Sequence, residues 1–161
     1  MAASPQLPSL GRRGEGWVMA QVVLVALVVL AEIFGPGWPE SVAVVLFVAG
    51  IGVIMLGFAL FLAGILALGR SLTPFPKPKE WASLNEGGAY GFVRHPMYGG
   101  VILAVAGWSL ARTPVGLAMT AVAALFLELK SRREEAWLVA RYAGYEGYRQ
   151  RVRWKFFPGL R

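Results

Sequence analysis

Apolar runs alternate with polar breaks along the whole chain. The first run, about Trp17 to Phe34, is dense in Val, Leu and Ala. Its length is close to the roughly 20 residues that cross a bilayer. Trp17 and Trp38 suit the two interfaces, and Glu32 is expected to reach the nearer one. The break Gly35-Pro36-Gly37-Trp38-Pro39-Glu40-Ser41 holds no Lys or Arg and predicts a tight turn between helices. The second run, about Val42 to Leu68, is long enough to tilt or extend beyond the bilayer. Gly50, Gly57 and Gly64 recur every seven residues, which sets them near one face. Such a stripe lets helices approach closely, within the chain or between copies; a cofactor groove is the other use. Two shorter runs, about Met97 to Ala111 and Pro114 to Leu129, flank the turn Arg112-Thr113-Pro114. They predict a closely packed helical hairpin, with Pro114 in a first turn.

The polar stretches are as informative. Residues 1–16 read as a disordered tail, and 17–161 as a single membrane domain. That domain divides into two N-terminal spans (17–68) and a loop, hairpin and tail (69–161). A signal peptide is the competing reading of the first run. No small-residue cleavage site follows it, so a retained span is preferred. Between Gly69 and Gly88, Pro74, Pro76 and Pro78 exclude helix and stiffen the chain. About twenty loop residues in so small a protein suggest service to a site. From Lys130 to Arg161, Trp137, Leu138, Tyr142, Tyr145 and Tyr148 recur at near-helical spacing. This predicts a basic amphipathic helix lying on the membrane or folded over the loop.

Composition places these runs in a bilayer. Of 161 residues, 57% are hydrophobic, and the mean hydropathy is +0.56. The fold class is therefore all-α, an integral membrane bundle of about four transmembrane helices. The net charge is +7. In a membrane protein this excess marks cytoplasmic loops and contact with lipid headgroups, so no nucleic-acid partner is expected. With four crossings, 15 of the 16 Lys and Arg share one side, and Arg112 alone is opposite. The positive-inside rule makes the termini cytosolic, in a plasma membrane read as bacterial in type. No cysteine and one histidine exclude disulfides, thiol catalysis and a multi-histidine metal site; no metal is expected.

That histidine lies in Gly88-Ala89-Tyr90-Gly91-Phe92-Val93-Arg94-His95-Pro96-Met97-Tyr98-Gly99-Gly100, where a polar loop meets an apolar helix. Pro96 fits a first helical turn, which leaves Arg94 and His95 at the helix mouth. By physics alone, a lone interfacial histidine is more often structural than functional. Lys130-Ser131-Arg132-Arg133-Glu134-Glu135 is, alone, a solvated charge run. Topology raises its interest, because a short hairpin sets both clusters at one depth on one face.

These residues resemble a known family. The pattern Gly-x-Tyr-x-x-x-Arg-His-Pro-x-Tyr-x-Gly is met by Gly88, Tyr90, Arg94, His95, Pro96, Tyr98 and Gly100. The pair Glu134-Glu135 and a Tyr-x-x-Tyr tail, Tyr145 and Tyr148, follow. Together they are similar to the isoprenylcysteine carboxyl methyltransferases and their phospholipid methyltransferase relatives, from Thr73 to Leu160. The resemblance implies membrane helices with a C-terminal hairpin and S-adenosylmethionine as cofactor, leaving as S-adenosylhomocysteine. It implies that Ala82, Ser83, Leu84 and Asn85 border the cofactor. Tyr90, His95 and Tyr98 would touch it, Pro96 and Met97 would shape the wall, and Glu134 would bind it. Lys130 stands where the family has an arginine near the acceptor carboxylate, and Arg141-Tyr142-Ala143-Gly144-Tyr145 replaces the usual tail wording.

The reaction expected is methyl transfer to a lipidic or small acceptor brought from the bilayer, with Arg94, His95 and Lys130 as catalytic candidates. Arg94 would meet the cofactor carboxylate and Glu134 its ammonium. A carboxylate acceptor needs no base, whereas an ammonium acceptor needs one such as His95. Isoprenylcysteine-type O-methylation is the first reading and phospholipid N-methylation the second. A non-catalytic module whose basic tail binds anionic lipid is the third. Oligomeric state stays open.

Overall fold

The computed structural model describes residues 7–78 and 81–159. Residues 1–6 of the expected tail, Lys79 and Glu80 of the connection, and the last two residues lie outside them. Five helices and no strand occur among the described residues: α1 (Glu15–Phe34), α2 (Glu40–Leu68), α3 (Pro96–Arg112), α4 (Pro114–Arg141) and α5 (Tyr145–Arg151). The fold is an all-α bundle, as the apolar runs imply. Single 3₁₀ turns at Gly69–Ser71 and Gly88–Gly91 interrupt the connection between α2 and α3. Of the tail expected over 1–16, residues 7–14 are non-helical and residues 15–16 already belong to α1.

Three helices are long and apolar enough to cross a membrane: α1, α2 with its 3₁₀ extension, and α4. α3, at 17 residues, spans only about 25 Å and packs along α2 and α4. α4 differs from expectation. It does not stop near Leu129 but runs unbroken to Arg141, so Trp137 and Leu138 belong to it and not to a separate tail helix. The charged run 130–135 holds good helix formers and no Gly or Pro, so nothing there ends the helix. The tail helix proper, α5, is seven residues long.

The heptad glycines pair α2 with α3. A Cβ on Gly57 would stand 2.7 Å from the Gly100 carbonyl and 2.6 Å from the Ala104 nitrogen. Gly50 meets the Gly107 carbonyl in the same way, and Gly64 meets Met97 and Pro96. Gly100 and Gly107 return the contact from α3, also seven apart, so the helices run antiparallel with backbones in touch. The stripe is thus used inside the chain. α2 has no other distinguishing face, because its remaining surface is apolar all round.

α1 docks on α4 rather than on α2, its neighbour in sequence. Trp17 packs on Phe126 with ring centroids 5.8 Å apart, and Lys130 Nζ donates to Gln21 Oε1 at 2.5 Å. Glu32 does not reach an interface. It is 2% exposed and accepts from Ser109 Oγ at 2.5 Å, beside Thr120 and Gly116. A buried carboxyl needs hydrogen-bonding partners, and here Ser109 of α3 supplies one, itself bonded to Thr120 of α4, while Glu32 Oε2 has no partner among the described residues. Thr113 alone separates α3 from α4, capping α4 through a bond from Val115 N, with Pro114 in the first turn.

Gly57→Val is expected to destabilise the protein in detergent by about 1–3 kcal/mol through overpacking. Gly52→Val, where a Cβ meets nothing within 4 Å, should leave the thermal midpoint unchanged. Equal melting curves for both would refute the α2–α3 contact.

Candidate functional site

The site forms where α3 begins. Pro96 opens the helix, and His95 caps it in a non-helical conformation, φ −132° and ψ 63°. The chain is held there from outside the helix. Arg94 N donates to the Trp154 carbonyl at 3.0 Å, and His95 N to the Lys155 carbonyl at 2.8 Å. The C-terminal segment therefore pairs with the two residues before α3. It is anchored in turn by Lys155, whose ammonium binds both Glu128 oxygens at 2.9 and 3.0 Å.

Glu134 and Glu135 face this junction from α4. Adjacent helical residues point about 100° apart, so the two serve different partners. Glu135 Oε1 accepts from Arg94 Nε at 2.9 Å and from His95 Nε2 at 3.1 Å. Arg94 Nη1 also donates to the carbonyls of Val152 and Arg153. Glu134 Oε2 accepts from Tyr98 OH at 2.9 Å and lies 3.9 Å from His95 Nδ1. The His95 and Tyr98 rings stack in parallel with centroids 5.4 Å apart, and Phe156 meets both at an edge.

Above this cluster lies a cavity walled by the connection, the start of α3, the end of α4, and the tail. Ala82, Ser83, Leu84, Asn85, Tyr90, Arg94, His95, Met97, Tyr98 and Glu134 all line it, so most of the expected set converges. Pro96 does not; it is buried against α2 near Gly64. Lys130 does not either. Its ammonium is buried, lies 5.5 Å from the Tyr98 ring centroid and reaches Gln21 of α1.

The tail closes the cavity by tyrosines. Tyr142 OH donates to the Ala82 carbonyl at 2.6 Å and Tyr148 OH to the Tyr90 carbonyl at 2.8 Å. Tyr145, Tyr148 and Val152 form a buried cluster with Leu84, Leu138 and Tyr142. Burial, then the carboxylates of Glu135 and Glu134, push the Tyr145 phenol up. Burial and Glu134 do the same for Tyr90. Burial also dominates at Tyr148 and raises it. These phenols stay protonated near neutral pH.

Sequence reasoning left several lining or bracing residues without a role. Glu135 was visible only as half of an acidic pair. Leu72, Thr73, Phe75 and Pro76 were signalled only by the proline stiffness of their loop. Tyr142 was signalled by the aromatic spacing of the tail.

Glu135→Ala would leave Arg94 and His95 buried without their carboxylate. A loss of about 3 kcal/mol of stability is expected in chemical unfolding; a loss near zero would refute the bracing role. The raised phenols add stability that is full below the ordinary phenol range and falls as pH rises above about 10. In an alkaline titration, tyrosinate absorbance from Tyr90, Tyr145 and Tyr148 should appear together with loss of helix. Its appearance in the folded protein would contradict their burial.

Comparison with known proteins fits this geometry. Among curated proteins, none matches the chain significantly. The family model described as phospholipid methyltransferase matches residues 45–144, from within α2 to the start of α5. The match covers more than half of the chain and includes the Arg94-His95-Pro96 junction, both glutamates and three of the apolar helices. The chain therefore belongs to the phospholipid methyltransferase family and is an integral membrane methyltransferase.

Proposed function

We propose that the protein transfers a methyl group from S-adenosylmethionine to a lipidic acceptor at the cytosolic face of the membrane. Glu134 carries this reading. Tyr98 donates to its Oε2, and the side chain lines the cavity. The donor set fits the cofactor: a carboxylate for its ammonium, tyrosine faces for its sulfonium, and the 82–85 loop with Asn85 and Ser83 for its base. Bound there, the cofactor supplies an electrophilic methyl group on sulfur. The protein's own contribution is orientation. Tyr98 fixes Glu134, Glu135 fixes His95, and Pro96 sets Met97 and Tyr98 on the first turn of α3.

The side chains also bear on the acceptor. Glu135 accepts from His95 Nε2, so the neutral ring carries its proton there and keeps a lone pair on Nδ1. An amine acceptor must lose a proton, and His95, which lines the cavity, would be the base that takes it. Among the described residues, Arg94 is the Lys or Arg lining the cavity, and its Nε and Nη1 are already bound to Glu135 and the tail carbonyls. Both observations favour an amine-bearing phospholipid headgroup. The second reading, O-methylation of an isoprenylcysteine carboxylate, is favoured by Lys130. That buried ammonium has a neutral amide as its hydrogen-bond partner and no ion pair among the described residues. The positive-inside count supports cytosolic termini, with the N-terminal segment, the connection and the tail at one end of the bundle.

Calorimetry with S-adenosylhomocysteine tests the cofactor. Glu134→Gln should weaken binding about ten- to hundred-fold, the worth of one charged hydrogen bond, and His95→Ala should weaken it as well. Absence of binding by folded protein in lipid nanodiscs would overturn the proposal in favour of a lipid-binding module. The methylated lipid then separates the acceptors, because an ester is lost in mild base and an N-methyl group survives.

A further inference from the structure

The segment before α1 lies outside the stretch that matches the family, yet it touches the cavity wall. It first folds back on its own helix: Trp17 Nε1 donates to the Pro8 carbonyl at 3.1 Å, and Gly16 N to the Leu10 carbonyl at 2.8 Å. Its far edge then meets the connection. The Arg13 guanidinium carbon lies 4.6 Å from the centroid of the Phe75 ring, and Lys77 N donates to the Arg13 carbonyl at 3.4 Å. Gly14, at φ +86°, packs between loop and helix. A Cβ there would stand 3.0 Å from Pro76 Cδ and 3.1 Å from Trp137 Cη2. Phe75 and Pro76 line the cavity, and Trp137 precedes Leu138, which also lines it.

The loop needs such support. Pro74, Pro76 and Pro78 have no N–H, so the stretch 72–78 cannot build a backbone ladder of its own. Among the described residues, its local side-chain bond is from Phe75 N to Thr73 Oγ1 at 3.2 Å. Its position must come from packing against neighbours, and the N-terminal segment is the neighbour on its outer side. A water-soluble cofactor reaches the cavity from the aqueous end of the bundle, where this wall stands.

We infer that residues 8–14 are a latch on the outer wall of the cofactor cavity, with Arg13 and Gly14 as positioning residues for cofactor binding. This rests on the cofactor reading above. Arg13 and Lys77 are exposed, so the outer edge of the latch faces water, while Gly14 beneath it is buried against Pro76 and Trp137. Gly14 requires both its left-handed backbone and its missing side chain. The latch therefore acts on how long the cofactor stays and not on the transfer step.

The test joins two measurements on the full chain in nanodiscs. The first is affinity and dissociation rate for S-adenosylhomocysteine. Arg13→Ala should weaken binding about two- to five-fold, as expected of one exposed cation–π contact, with the change in the dissociation rate. Arg13→Lys should recover part of it. Gly14→Ala should weaken binding about five- to thirty-fold, from the left-handed strain alone. With active enzyme, the change should fall on KM for the cofactor and not on kcat. The second is amide hydrogen exchange at Leu72, Thr73, Phe75 and Lys77 without cofactor, which both alanine variants should accelerate. Folded variants with unchanged exchange at these amides and unchanged affinity would overturn the latch. If the wild type binds no S-adenosylhomocysteine, the cofactor reading fails. Exchange alone then decides whether the segment braces the loop: faster exchange supports it, and unchanged exchange overturns it.

Discussion

One carboxylate oxygen holds the site together. Glu135 Oε1 accepts from both Arg94 and His95, and the backbone amides of those two residues donate to carbonyls of the C-terminal segment. α4, the start of α3 and the tail are thereby tied at one point. The charges are nearly removed from water, with the Arg94 and Glu135 side chains 9% and 10% exposed. Buried charges of this kind persist only when paired and hydrogen-bonded, so each member constrains the others. The position of Glu134 follows, because it is the preceding residue on the same helix and its partner Tyr98 lies in the first turn of α3.

A second constraint works from the opposite direction. The backbone contact between α2 and α3 brings the α3 N-terminus against the end of α2, with Gly64 beside Met97 and Pro96. The connection leaving α2 must then return over a short distance to enter α3. It folds back on the helix it left, Asn85 bonding the Ala67 carbonyl, and this bulge walls the cavity. Long loops in compact domains usually have a function, and here geometry supplies one. The tail completes the enclosure with Tyr142 and Tyr148, which donate to the loop carbonyls of Ala82 and Tyr90.

Some of this was legible from particular residues. The heptad glycines of α2 announced a close helix partner because only small side chains let backbones touch. Pro96 and Pro114 announced helix starts, and both are first-turn residues. The run of prolines marked a stiff loop, and that loop lines the cavity. Glu32 misled. Its position near a helix end suggested an interface, whereas Ser109 and Thr120 of two other helices bury it. The partner of Lys130 was not legible. One turn from Glu134 in sequence, it points to α1, because Gln21 offers an acceptor there.

The sequence by itself determined the helices, the membrane setting and the Arg94-His95-Pro96 junction, since hydropathy, proline positions and charge counts act locally. Where α4 ends was also local, and the absence of any helix breaker before Arg141 decides it. Only the tertiary structure decided the partners: α3 for the glycine stripe, α4 for α1, Glu135 for both Arg94 and His95, and the N-terminal segment for the proline loop. The physical reason is that a helix presents several faces of similar hydropathy to a bilayer. Which of them is buried depends on backbone fit and on hydrogen-bond partners many residues away, and neither leaves a periodic trace in the chain.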